Sequence, residues 1–559
     1  MIKKLTITSL FCVLLFGSLF AQSDTVFVPA TDNDGNPLVN SIIEYIIADT
    51  NAAGEQLHSV YKLERGQWYL LDIPANFYNP VKIVADPPSE GVPPAKIVAN
   101  YLPETLEAAT GDLLEAYADI TLENIWLAGT VYSGGDRRGW GDGQALTVRD
   151  SFVTVTMKNV WVDYNGWSVF STAVPHTSWI IDGLHVRNEM NPGDQWTTFI
   201  FFLETSQIVD KFIARNCTFF QINSFVIFPP PVVQYIEFDH CTFVNSYKWP
   251  FHRTEWYKAK FTNNIFYNSG SLGLLPGELA GQDPDALMYG LINADTLFAN
   301  SSDTIPAGPY TIPENQREIE VRSNVYYWTD DIQQYLQVHD SVVAPIWMNS
   351  RTEAMFANDT DWPGLVEENN VNQDPQFNSF PALQEAVDFL AVAVRDVRTG
   401  NTHEWDWDDD KESDPEFYRL THPYPLPENF AYSGNFTSTD GYHVGSLQYY
   451  PEEWAEYKEN VTGVDDENGN IPQKFSLNQN YPNPFNPSTT ISFDIAEQGN
   501  FSLKIYNVLG QELATLVNGE MKIGSHTVNF DASNLASGLY IYKLSGNNVS
   551  LTRKMMLLK

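Results

Sequence analysis

Seven ten-residue stretches of the chain alternate apolar and polar side chains with a period of two. They are ITLENIWLAG (120–129), VTMKNVWVDY (155–164), WIIDGLHVRN (179–188), FIARNCTFFQ (212–221), IEFDHCTFVN (236–245), AKFTNNIFYN (259–268) and IEVRSNVYYW (319–328). That period belongs to strands with one buried face. Aligned on the fifth residue, the stretches place Asn124, Asn159, Gly183, Asn216, His240, Asn263 and Ser323 in one column, at intervals of 35, 24, 33, 24, 23 and 60 residues. The three intervals near 24 set the repeat, and the longer ones read as repeats carrying inserted loops. A unit this short cannot bury its own apolar face, so neighbours must stack.

Stacked as parallel strands, the units line up Leu127, Val162, Val186, Phe219, Phe243, Phe266 and Tyr326 as one internal column. The fifth position, mostly Asn or Gly, suits a bend in the left-handed backbone region, with side-chain amides bonding from coil to coil. A short β-rich repeat with such a bend predicts a parallel β-helix. A propeller blade needs a longer repeat, and a leucine-rich repeat needs a helix and a Leu consensus that this sequence lacks. The residue before the bend supports the same register. It runs Glu123, Lys158, Asp182, Arg215, Asp239, Thr262, Arg322, alternating in sign over five coils as an outward column spaced ~4.8 Å apart should. Cys217 and Cys241 fall in one inward column and read as buried thiols. Phe243 is then a core position, and Thr242, on the opposite face, is expected to face solvent.

Charge and composition narrow the setting. Lys and Arg number 32 against 70 Asp and Glu, a net charge of −38, which argues against nucleic acid and anionic membranes as partners. The first residues, MIKKLTITSLFCVLLFGSLFAQS, have a basic start, a short apolar stretch and Ala21, as a secretory signal peptide over 1–21 does. No other stretch approaches the ~20 apolar residues of a membrane helix, so no transmembrane segment is expected in the mature chain.

The coils resemble the right-handed parallel β-helix of pectate lyase-like proteins over roughly 80–330, with WYLLDIPANF and VKIVADPP fitting earlier coils. VNQDPQFNSF (371–380) and TDGYHVGSLQYY (439–450) are similar to the cap that follows many secreted β-helices. The resemblance implies polysaccharide as the partner, bound or cleaved, with a lyase or glycoside hydrolase as the catalytic version and a non-catalytic surface adhesin as the alternative. Two places offer suitable side chains. KWPFHRTEW (248–256) supplies His252, Arg253 and Glu255 as catalytic candidates, between Trp249 and Trp256 as rings for sugar stacking. Trp161 and His185 share an outward column on consecutive coils, beside Asp163 and Arg187 in another. Calcium is the candidate cofactor. HEWDWDDDKESDPE (403–416) offers Asp406, Asp408 and Asp410, although the spacing matches no EF-hand loop, and DNDGN (32–36) fails the same test.

The tail is a different module. From Thr489 the short alternating strands TISFDI, FSLKIY, HTVNF, GLYIYKL and VSLTRKMMLLK predict a small Ig-like β-sandwich. Residues 473–559 carry 7 basic and 5 acidic side chains, +2, leaving −40 for the remainder. The run YPNPFNP, then NVLGQEL, then ASGLYIYKL and a basic-apolar finish resembles the C-terminal sorting domain of type IX secretion substrates. The residues carrying the resemblance are Tyr481, Pro482, Pro484, Phe485, Gly510, Gly538, Tyr540 and Lys554. It implies the type IX secretion machinery as a partner, a Bacteroidetes-like source, and a secreted or outer-surface destination. The organisation expected is a signal peptide (1–21), a right-handed parallel β-helix with inserted loops (22–370), a closing cap (371–460), a linker (461–480) and the sorting domain (481–559).

Overall fold

The computed structural model describes residues 25–558 apart from 88–91, 101–109, 111, 132–143, 164–167, 190–198, 204–207, 223, 229–231, 252–255, 274–289, 295–313, 337–344, 379–380, 400–429, 466–475, 478–479, 481–482, 484, 496–498, 508–510, 522–523 and 547–548. Residues 1–21, expected as a signal peptide, lie outside the described residues. The chain divides into two compact units, Met1–Pro451 and Glu452–Lys559.

The first unit is a parallel β-helix whose coils contribute strands to three faces. Strands before the bend, such as Ile208–Arg215, Val232–Asp239 and Trp256–Thr262, pair in parallel from coil to coil. Strands after the bend, such as Thr218–Ile222, Thr242–Ser246 and Ile265–Tyr267, do the same. A third face is a separate six-stranded sheet made of Ala75–Phe77, Leu114–Ala116, Leu146–Val148, Ser168–Thr172, Phe199–Leu203 and Phe225–Phe228.

The bend column is as the repeat predicts. Asn124, Asn159, Gly183, Asn216, His240, Asn263 and Ser323 all have φ between 51° and 79°, and Asn369 adds an eighth coil at 58°. Their side chains climb the helix: Asn159 Nδ2 donates to Asn124 Oδ1 at 2.7 Å, and Asn216 Nδ2 to Asp182 Oδ1 at 3.0 Å. These bonds help offset the cost of a left-handed non-glycine backbone. A second left-handed column, Gln221, Asn245 and Asn268, closes the other end of the strand that follows the bend, with Asn268 Nδ2 donating to Asn245 Oδ1 at 3.2 Å.

The predicted internal column is in register from Leu127 to Tyr326. Its members are buried, Tyr326 less completely, and Phe243 stacks on Phe219 at 4.9 Å and on Phe266 at 4.7 Å. The charged column is in register too, with Lys158 opposite both Glu123 and Asp182, and Arg215 opposite Asp182 and Asp239. Cys217 and Cys241 are buried free thiols, and burial together with the neighbouring thiol pushes Cys241 well up from the usual thiol range. Their column then changes character: Asn264 accepts from Cys241 N and donates to Asn324, which donates to Asn370. An amide ladder thus replaces apolar packing toward the C-terminal coils.

The segment after the coils is not all strand. It contains the helix Pro381–Thr399, whose Ala386, Val387, Leu390, Ala393 and Val394 are buried. The helix Pro451–Asp465 runs across the cap–linker border expected at 460. In the second unit, the antiparallel strands Ser488–Ile495 and Gly524–Asp531 pair with each other. Gly499–Asn507, Glu512–Met521, Gly538–Gly546 and Val549–Leu557 form a four-stranded antiparallel sheet. Phe493, Leu503, Ile505, Tyr542, Leu544 and Met555 form its buried core.

Candidate functional site

Three places in the first unit bring candidate functional side chains together. The first is the outward column predicted from Trp161 and His185. Parallel pairing extends it to Trp68, Lys96, Trp126, Trp161 and His185 on successive coils. Lys96 Nζ lies 4.7 Å from the Trp68 ring centre and 4.0 Å from that of Trp126, and Trp161 stacks on His185 at 5.5 Å. One column over, Trp126 Nε1 donates to Asp163 Oδ1 at 3.0 Å, and Asp163 Oδ2 lies 3.6 Å from Arg187 Nη2. Trp126, Trp161, Asp163 and Arg187 are each 5% exposed or less. Burial, reinforced by Arg187, pushes the His185 imidazole down to about 3, so it stays neutral and is a poor proton acceptor at neutral pH. This column is packed structure over most of its length rather than an open platform.

Trp249 and Trp256 require a correction. Both indoles are interior, 3% and 1% exposed, so neither offers a free face to a sugar. Trp256 opens an inward-facing strand position and packs on Phe251 and Phe261, and Trp249 sits edge-on to Phe225 at 5.8 Å. His252, Arg253 and Glu255 lie outside the described residues, as do Asp406, Asp408 and Asp410. In DNDGN, the Asp32 carboxylate accepts from the backbone N–H groups of Asp34 and Asn36, closing a tight turn.

The second place is where a strap, residues 430–450, crosses the sheet after the bend. Gly445 N donates to Asn263 O, Ser446 N to Thr242 Oγ1 and Ser446 Oγ to Asn216 O, while Tyr449 Oη and Thr218 Oγ1 share a hydrogen bond. Thr242 is therefore 1% exposed, not a solvent position. Two glycines make the fit possible. A Cβ on Gly445 would meet Thr242 Oγ1 and Ile265 Cδ1, each at 2.7 Å, and one on Gly183 would meet Gln448 Nε2 at 2.9 Å.

At the strap's edge His240 Nε2 pairs with Asp440 Oδ2 at 2.8 Å, and Asp239 lies beside them. Burial lowers the His240 pKa, but Asp239 and Asp440 outweigh it and hold the imidazole above its ordinary value, while Asp440 is held below its own. These three residues carry the donor types of a divalent-cation site. The Asn263 Nδ2 amide lies among them, donating to Asp239 Oδ1 and Thr439 Oγ1 and lying 3.4 Å from His240 Nε2. A hydrogen-bonded latch accounts for the geometry without an ion.

The third place was not legible in the repeat. On the six-stranded sheet two outward columns flank a bend. One carries Asp112, Gln144, Ser168, Phe199 and Phe225, and the other Asn76, Glu115, Thr147, Ser171, Phe202 and Phe228. The early coils are polar. Arg149 Nη2 donates to Asp112 Oδ2 at 2.9 Å and to Glu115 Oε1 at 2.8 Å, Gln144 N donates to Asp112 Oδ1, and Thr147 Oγ1 donates to Gln144 Oε1. Burial raises the Asp112 pKa, Glu115 adds to the rise, and the Gln144 N–H and Arg149 oppose it. The later coils are aromatic. Phe199 stacks on Phe228 at 4.6 Å and packs on Phe202 at 5.6 Å, with Phe202 and Phe228 only partly buried.

The second unit settles what the tail is. A family model described as a secretion system C-terminal sorting domain matches residues 479–558. The tail is a type IX sorting domain. Export to the medium or to the outer cell surface follows. Phe485 is 2% exposed and tied to the last strand through Phe485 N to Met556 O and Leu558 N to Phe485 O, so this residue is part of the domain's own core. Gly538 opens a strand, Tyr540 Oη donates to Ala536 O, and Lys554 is exposed on the final strand. Tyr481, Pro482, Pro484 and Gly510 lie outside the described residues. No curated protein and no solved structure matches the chain significantly. Among the described residues no helix is long and apolar enough to cross a membrane.

Proposed function

We propose that the first unit is a polysaccharide-binding passenger delivered by the type IX route, with the outward face of the six-stranded sheet as its contact surface. Fold alone does not establish a ligand. The observation that carries the reading is the composition of that face, where a hydrogen-bonding nest at Asp112, Glu115 and Arg149 leads along successive coils into the partly exposed rings of Phe202 and Phe228. Sugar chains present apolar ring faces edged by hydroxyls, and such a strip offers partners for both. Coil spacing of ~4.8 Å is of the same order as one sugar unit, so successive coils can address successive sugars.

Affinity electrophoresis of the mature protein in gels containing polysaccharides tests this. Retardation by a polymer, reduced by Phe202→Ala with Phe228→Ala, supports the reading. Unchanged migration in every polymer leaves the alternative, a surface protein that binds no glycan. Export is tested separately: deleting 473–559 should leave the passenger in the periplasm, and normal surface delivery of that truncation would contradict the route.

A further inference from the structure

The polar end of the strip also points to the kind of sugar, an inference that rests on the polysaccharide reading above. Three coils present two outward positions each: Asn76 and Tyr78, Glu115 and Tyr117, Thr147 and Arg149. Tyr78 is 63% exposed and stacks on Tyr117 with ring centres 4.5 Å apart and planes 28° from parallel. An exposed stacked pair of tyrosines beside a fixed polar nest is what a sugar ring needs, an apolar face with hydrogen-bonding groups at its edge.

The charges of the nest then select. The Arg149 guanidinium is already engaged by two carboxylates, Asp112 at 2.9 Å and Glu115 at 2.8 Å. Two negative charges against one positive leave the nest net negative among the described residues, where Arg149 is committed to both carboxylates, so a sugar carboxylate or sulfate would meet repulsion there. The acceptors need donors instead. Asn76 Oδ1, beside Glu115 in the register of the sheet, receives no hydrogen bond among the described residues, and the Asp112 and Glu115 carboxylates accept only. A neutral sugar's hydroxyl groups donate, and an ionised sugar acid group does not. The chain's net charge of −38 acts in the same direction at longer range, to the extent that salt does not screen it.

We propose that the Tyr78–Tyr117 pair, with Asn76, Glu115 and the Arg149-held Asp112, is a saccharide subsite for an uncharged polysaccharide, and that polyuronates and sulfated polymers are not its ligands. The test compares the mature protein on neutral polymers (xylan, mixed-linkage β-glucan, galactomannan) with acidic ones (polygalacturonate, alginate), using Tyr78→Ala as the reporter because its side chain is exposed. The expected result is binding to at least one neutral polymer and to no acidic one at moderate salt, with Tyr78→Ala weakening it roughly tenfold or more, the effect of losing one well-used aromatic contact. Binding to an acidic polymer, or neutral binding unchanged in Tyr78→Ala, overturns this inference while leaving the polysaccharide reading in place. Binding to no polymer overturns both.

Discussion

Two outward faces of the same β-helix have opposite fates. On the sheet after the bend, Thr218, Thr242 and Ile265 point away from the core, yet the strap at 430–450 covers them, with Gly445 and Ser446 seated on Thr242. On the six-stranded sheet, Thr147, Ser168, Ser171, Phe199 and Phe225 are buried, but Tyr78 and Arg149 stay exposed and Phe202 and Phe228 only partly buried. The contrast teaches that period-two alternation tells inside from outside of a coil, but not outside from surface. Surface is decided by what the chain lays over the coil some two hundred residues later.

The largest effect should come from the core that both faces share. Phe243→Asp buries an unpaired charge between stacked phenylalanines and should cost about 4 kcal/mol or more, abolishing the cooperative melt of the first unit. Thr242→Asp, although outward, should be nearly as damaging at roughly 3 kcal/mol, because its hydroxyl accepts from Ser446 N under the strap. A mild Thr242→Asp would mean that the strap does not seal this face.

Glycines sharpen the comparison at the next scale. Gly445→Ala adds a Cβ at 2.7 Å from two atoms at a left-handed φ and should cost roughly 2–4 kcal/mol. Gly441→Ala, also left-handed but with nothing within 4 Å, should cost only about 1 kcal/mol. Equal melting temperatures of these two variants would remove the packing argument.

The latch gives a pH signature. His240 is held above its ordinary value of 6.5, so its pairing is fully present below that value and is lost as pH rises through the raised one. Asp440 is held below 3.8, so its share is present above 3.8 and is lost as pH falls through the lowered value. Limited proteolysis of the strap should therefore be slower at pH 5.5 than at pH 8.5, and Asp440→Asn should flatten the difference. His185 behaves in the opposite sense. Its depressed value makes folding less favourable as pH falls below the ordinary imidazole range.

How much of this was legible follows from range. The bend column and the internal column could be read from residues 120–328 because each coil repeats the same local requirement, a left-handed Asn or Gly and an inward apolar residue. The second bend column escaped because only Gln221, Asn245 and Asn268 mark it, without a shared type over most coils. The third sheet escaped because strands such as Leu114–Ala116 are too short to show alternation, so Asp112, Glu115, Thr147 and Arg149 never appeared as neighbours. Trp249 and Trp256 misled because aromatic rings beside charged residues look like a binding loop until the strand start at Trp256 turns its ring inward. The sorting domain was legible in order and in extent, because its motif blocks are local and specific.

The central claim is that the six-stranded sheet, with its exposed Tyr78 and Arg149, and not the strapped face, meets the ligand. Hydrogen–deuterium exchange of the mature protein, with and without a polysaccharide that retards it, tests this directly. The account predicts ligand-dependent protection in Leu114–Ala116, Leu146–Val148 and Ser168–Thr172, with Thr218–Ile222 and Thr242–Ser246 unchanged. Protection confined to the strap and the strands beneath it would contradict the account.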